Sequence, residues 1–140
     1  MAQGLIVEPD IRLANLYAKA LQTRQHQAAV ATSAQAAIMA ADAASPDLVV
    51  LELQLTAHGG VEFLYEFRSY ADWQRVPVVI MSSVPPLEFE SSQRLLFEQL
   101  GVVAYHYKPR TNLQKLLRSI DAVLASDDET ADLTEEQLSA

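Results

Sequence analysis

PDLVVLELQLTAHGGVEFL, residues 46–64, is the stretch on which the reading of the fold turns. Its apolar run, 48–51, has no polar alternation and stands between Pro46-Asp47 and Glu52. A short strand of this kind suits a sheet covered on both faces, because a strand with one wet face alternates polar and apolar residues. Gly59-Gly60 then breaks the chain, and 61–70 reads as a helix.

The same strand-then-helix unit repeats on either side. Upstream, 4–7 reads as a strand and 11–22 as a helix, with Asp10 as its cap and Leu13, Leu16, Tyr17, Ala20 and Leu21 at helical spacing. A second strand at 28–32 precedes an alanine-rich helix at 34–44, ended by Ser45-Pro46. Downstream, 76–81 is a fourth strand, 87–100 a helix ending at Gly101, and 102–107 a fifth strand. Thr111 is placed to cap a last helix to about 125, with Leu113, Leu116, Leu117, Ile120 and Leu124 on one face. Five strands alternating with five helices over short links imply an α/β, doubly wound parallel sheet, a pattern that several folds share.

With 140 residues and half of them apolar, the chain can fill one domain core. The absence of cysteine excludes disulfides and thiolate metal sites. No leader pattern opens the chain and no apolar run approaches the ~18–20 residues of a membrane span, so a cytoplasmic protein without membrane contact is expected. The net charge of −8 is uneven: residues 127–140 hold six acids and no base, which leaves −2 for residues 1–126. Neither part offers the basic stripe that a phosphate backbone requires, so direct nucleic-acid binding is not expected.

In doubly wound sheets the working site lies at the carboxyl ends of the strands. The residues there are Glu8-Pro9-Asp10, Glu52, Ser82-Ser83 and Lys108-Pro109. This set resembles the receiver domain of response regulators over roughly residues 3–124. Residues 46–64 are similar to that family's P-D-L-V-L-L-D-x-x-L-P-x-x-x-G, GVVAYHYKP (101–109) to its G-A-x-x-Y-x-x-K-P, and VPVVIMSS (76–83) to its fourth strand. The resemblance implies a flavodoxin-like (CheY-like) sheet of order 2-1-3-4-5. It also implies a cis bond between Lys108 and Pro109, a form that only X-Pro bonds adopt cheaply. Carried over by position, Glu8 takes the first metal-holding acid, Ser82 the phosphoryl-binding hydroxyl, Lys108 the phosphoryl-binding lysine and Tyr105 the switch aromatic.

Two departures shape the expected function. The family's phosphoacceptor aspartate is replaced by Glu52, and its second metal-contacting acid by Pro9, which offers no side-chain ligand. A phosphoryl group on a side chain one methylene longer sits out of register with Ser82 and Lys108, and positioning is most of phosphoryl-transfer catalysis. The chain therefore reads as a degenerate, non-enzymatic pseudo-receiver that acts by protein–protein contact, with Mg²⁺ binding weak or absent and a Glu52–Lys108 ion pair in the site. Two alternatives stand beside it: a working phospho-receiver with a non-standard acceptor, and a small flavodoxin-like enzyme or ligand-binding domain. The absence of a glycine-rich phosphate loop after the first strand counts against the last.

The resemblance also places the contact face on the fourth helix, fifth strand and fifth helix, with Arg94 and Arg118 as candidate partner or homodimer residues. His26, His58 and His106 show no metal-ligand spacing, and Trp73 reads as packing between the third helix and fourth strand. Residues 126–140 form an acidic tail beyond a domain of residues 1–125. Two weak capping boxes, Ser126 with Glu129 and Thr134 with Gln137, allow a short helix there.

Overall fold

The computed structural model describes residues 1–85 and 94–132, with side chains through residue 125. The strands are β1 (Gln3–Val7), β2 (Gln27–Ala31), β3 (Leu48–Leu51), β4 (Val78–Ser82) and β5 (Val102–Tyr107). The helices are α1 (Ile11–Thr23), α2 (Ala34–Ala43), α3 (Gly60–Ser69), α4 (Leu95–Gln99) and α5 (Leu113–Asp132). All strand pairs are parallel and the order is β2-β1-β3-β4-β5.

The three inner strands explain the continuous apolar runs. Leu5, Val7, Val49, Leu51, Val78 and Ile80 face α2, α3 and α4, while Ile6, Leu48, Val50, Val79 and Met81 face α1 and α5. Both faces are dry, so every residue of β3 is buried. On the first face Phe67 stacks between Phe63, at 5.4 Å, and Trp73, at 5.0 Å between centroids. Each fully buried side chain of this size contributes roughly 1.5–3 kcal/mol relative to exposure. As the sequence implied, Asp10 caps α1, accepting from the N–H groups of Arg12 and Leu13, and Trp73 closes the gap below β4.

Several local expectations are corrected. β4 begins at Val78: Pro77 has no N–H to give a neighbouring strand, and the carbonyl of Val76 is taken by Arg68. Ser82 is the last strand residue. The helix expected over 87–100 is described only in its end, α4, where Leu100 donates to Leu95 in the wider π pattern; residues 86–93 lie outside the described residues. No cis peptide bond occurs among the described residues, so Lys108–Pro109 is trans. The proline sits in a 3₁₀ turn, Lys108–Arg110, where its fixed φ fits. Thr111 closes that turn, and it is Asn112 that caps α5, its Oδ1 accepting from Lys115 N at 2.9 Å. α5 passes the end expected near 125 and runs to Asp132, since no Gly or Pro interrupts it. Ser126 is therefore inside a helix rather than at its start. Thr134 and Gln137 lie outside the described residues.

At edge strand β5, Val102 opposes Val78 and Ala104 opposes Val79, so Val103 is the extra residue of a bulge. It stands 47% exposed. A bulge of this kind spoils the edge as a template for indiscriminate strand pairing.

Candidate functional site

Parallel strands end together, and β1, β3, β4 and β5 bring four polar groups to one place. Among the described residues the buried polar or charged side chains are Glu8 at 3%, Glu52 at 4% and Ser82 at 0% exposure. All three belong to this cluster, and Lys108 closes it.

Lys108 Nζ bridges the two carboxylates, lying 2.5 Å from Glu8 Oε1 and 3.0 Å from Glu52 Oε1. Glu8 Oε2 accepts from the Asp10 N–H at 3.0 Å, which folds the chain back at Pro9 and starts α1. Glu52 is saturated. Its Oε1 accepts from Lys108, from Ser83 N at 3.1 Å and from Ser83 Oγ at 3.1 Å. Its Oε2 accepts from Ser82 Oγ at 2.5 Å and from Gln54 N at 3.2 Å. Ser82 Oγ in turn accepts from Val84 N at 3.1 Å. The Ser83 hydroxyl also lies 3.0 Å from Gln54 Oε1, so it has a choice of two acceptors.

Burial pushes the Glu52 carboxyl up, but the hydrogen bonds from Ser82, Lys108 and the N–H groups of Ser83 and Gln54 outweigh it and hold it below the usual carboxylate value. Burial likewise pushes the Lys108 ammonium down, and its hydrogen bonds to Glu8 and Glu52 more than reverse this. Both groups are therefore charged at neutral pH. Tyr17, from α1, lies close enough to be affected: burial raises its phenol, Lys108 offsets part of that, and Glu8, Glu52 and Asp10 raise it further.

Mg²⁺ needs about six oxygens in a near-octahedral shell at ~2.0–2.1 Å. Here two carboxylates converge, each with one oxygen already held by Lys108, and Pro9 supplies no ligand. This donor set does not fit the ion. Among the described residues no group of three or more His or acidic side chains is arranged to hold a metal.

Tyr105 points toward the α4 side, packs against the core and donates its hydroxyl to the Val84 carbonyl at 2.7 Å. It thus fastens β5 to the loop after β4. The other singled-out residues lie away from the cluster. Arg94 and Arg118 are exposed on α4's N-terminal side and on α5. His58 pairs with Glu62 on the surface, and His26 accepts from Ala2 N. His106 lies between Ser119 Oγ, at 2.7 Å, and Thr111 Oγ1, and burial and Lys115 lower its pKa.

The sequence reading missed three contributors: the backbone N–H groups of Ser83 and Gln54, and Tyr17. Backbone donors leave no mark on residue type. Tyr17 had registered only as one apolar position of a helix.

The chain matches the family described as response regulator receiver domain over residues 5–121. It is 28% identical over 133 residues to the KDP operon transcriptional regulatory protein KdpE of Escherichia coli (strain K12), which covers 91% of this chain and 56% of that protein. The chain thus spans little more than half the length of that relative. Among solved structures, a CheY-like receiver domain protein from Methanospirillum hungatei JF-1 superposes with a TM-score of 0.80 at 20% identity, covering 93% of this chain and 98% of that one. The chemotaxis response regulator CheY4 of Vibrio cholerae does so with 0.76 at 20% identity, covering 88% and 98%. At such identities the likeness shows the fold.

Proposed function

The chain belongs to the response regulator receiver domain family, and on that footing we propose that it signals without phosphate, as a protein-binding module held permanently in one state. The observation that carries this reading is the saturation of Glu52. Its carboxylate already occupies the Ser82 hydroxyl, the Ser83 N–H and the Lys108 ammonium. Those are the groups that a phosphoryl oxygen would need. The added methylene carries the carboxylate outward to meet them, so the side chain stands where the modification would, with one negative charge rather than about two.

The state held this way has the features that phosphate produces in the family. The hydroxyl of β4 is drawn to the acid, and the aromatic of β5 is turned inward and tied to Val84. The output face then follows as α4, β5 and α5, with Arg94, Arg110, Lys115 and Arg118 exposed on it. Mixed charge around a small apolar centre suits a specific, salt-sensitive contact. Catalysis, Mg²⁺ and direct nucleic-acid contact have no part in this reading, and the setting is the cytoplasm. No helix among the described residues is long and apolar enough to cross a membrane.

The test is incubation with acetyl phosphate or phosphoramidate and Mg²⁺, followed by intact-mass spectrometry. The mass is expected to stay unchanged. Stoichiometric gain of one phosphoryl group would overturn the reading and restore a phospho-receiver with glutamate as acceptor. Glu52→Gln is expected to change partner affinity only modestly, because the amide oxygen still accepts from the donors that hold Glu52 in place.

A further inference from the structure

Among the described side chains, the surface of α2 and α3 is net acidic and that of α4, β5 and α5, with Arg94 and Arg110 beside them, is net basic. α2 and α3 lie side by side and leave between them a groove of about 670 Å³. Its floor is apolar, with Ala34, Ile38 and Phe63, and Met39 stands at its rim 68% exposed. Its walls carry the carboxylates of α3 and one imidazole, His58, which pairs with Glu62 at 3.2 Å. Glu62 and Glu66 line the groove, and Asp42 is exposed on α2. The single base of the two helices, Arg68, is turned away into four backbone carbonyls. No Lys or Arg of these helices therefore faces the groove, and Glu66 has no basic partner there among the described residues.

The β5 edge, with α4 and α5 beside it, has the complementary make-up among the described side chains. Phe97 on α4 is 42% exposed and Val103, the bulge residue of β5, 47%. Around them stand the exposed bases Arg94, Arg110, Lys115 and Arg118. The exposed acids among the described residues of this edge are Glu98 and Asp121, and Asp121 is engaged by Arg24 at 3.3 Å.

We propose that the α2–α3 groove receives the α4–β5–α5 face of a second copy of the chain, with Phe97 entering beside Met39 and with Arg94 and Arg118 set against Glu62 and Glu66. The proposal rests on the α4–β5–α5 face being the binding face and names its partner. A cavity of this volume lies within the size range of pockets that take small ligands, so a phenyl ring fits. The two surfaces are different, so the contact is head-to-tail. Such an interface is not closed by a two-fold axis and continues into short rows or a ring. Its exposed charge pairs make it weaken as salt shortens the screening length from about 10 Å at 0.1 M toward about 3 Å at 1 M.

The experiment is sedimentation velocity on the full chain over a concentration series. It uses the wild type and two charge-reversed proteins, Glu62→Lys/Glu66→Lys and Arg94→Glu/Arg118→Glu. All of these positions are exposed, and circular dichroism melts check that each variant is folded. The wild type is expected to form species larger than a dimer that shrink with added salt. Each variant alone should associate at least about ten-fold more weakly. An equimolar mixture of the two should regain wild-type association, because a basic groove then meets an acidic face and an acidic groove a basic face. A wild type that stays monomeric throughout, or a mixture that does not recover, overturns the proposal. If only Arg94→Glu/Arg118→Glu loses association, the groove assignment fails while the α4–β5–α5 face stands. If neither variant changes it, both fail.

Discussion

Lys108→Met will lower stability at neutral pH by about 3–5 kcal/mol and will make the protein more stable in mild acid than at neutral pH. The ammonium sits between two carboxylates whose side chains are each 4% exposed. Methionine fills much of the stem's volume but removes the only positive charge in hydrogen-bonding reach of either acid among the described residues. Glu52 keeps its donors from Ser82, Ser83 and Gln54, whereas Glu8 keeps only the Asp10 N–H. In the wild type the Glu52 carboxyl lies below its ordinary 4.5, so its stabilisation is present above that pH and is lost as pH falls through the folded value. Lys108 lies above its ordinary 10.5, so its stabilisation is present below that pH and is lost as pH rises through the folded value. In the variant two carboxylates face each other without a cation. At least one is then pushed above its unfolded value, and the folded state binds more protons than the unfolded state. Stability of the variant therefore rises as the pH is lowered from 7 toward 5. Thermal melts across that range check both points: a drop of about 10 °C at pH 7, shrinking on acidification. A variant that melts with the wild type at pH 7, or whose stability does not rise on acidification from 7 toward 5, refutes the account. Adding Glu8→Gln to Lys108→Met should recover part of the loss, because it removes one of the two opposed charges.

The alternation of apolar runs with helical spacing was enough to read the sheet, and the residue types after each run were enough to read the cluster's members. Glu8, Glu52, Ser82 and Lys108 announce themselves because a charged or hydroxyl residue directly after a buried run has few other places to go. What escaped reading depends on tertiary geometry. Thr111 and Asn112 are both good caps; Asn112 caps because the trans Pro109 turn already consumes Thr111. The end of α5 was placed too early because a run of acids reads as a tail, yet it contains no residue that stops a helix. The late start of β4 follows from Pro77, which has no N–H, and from Val76, whose carbonyl Arg68 takes. Arg68 is the clearest case. In sequence it is one more charge near a helix end; in the fold it is an internal strut.

That strut makes the last prediction, a coupling between Arg68 and Gly101. The Arg68 guanidinium donates to the carbonyls of Leu100 at 2.9 Å, Trp73 at 2.6 Å and Val76 at 2.7 Å, and more weakly to Gly101. It also lies 5.6 Å from the centre of the Phe67 ring. It thereby joins the end of α3 to the entrances of β4 and β5, although burial disfavours its charge. Arg68→Met keeps a similar stem and abandons all of these carbonyls, at a cost of about 2–4 kcal/mol. Gly101 has φ +71°, and a Cβ there would stand 2.5 Å from Arg68 Nη2 and 3.1 Å from its Cζ. Gly101→Ala therefore carries two costs: the left-handed backbone, about 1–2 kcal/mol, and displacement of a guanidinium whose bonds cannot all be kept. The far end of an unbonded side chain would simply move aside, but this one is fixed by its acceptors. In the Arg68→Met background the second cost disappears, so Gly101→Ala is expected to cost only the backbone part. Urea unfolding of the four proteins in the cycle measures this directly. A coupling of about 1–2 kcal/mol, with the double variant more stable than additivity predicts, is the expected result. Strict additivity would show that Arg68 yields freely and that Gly101 is held by its backbone angle alone.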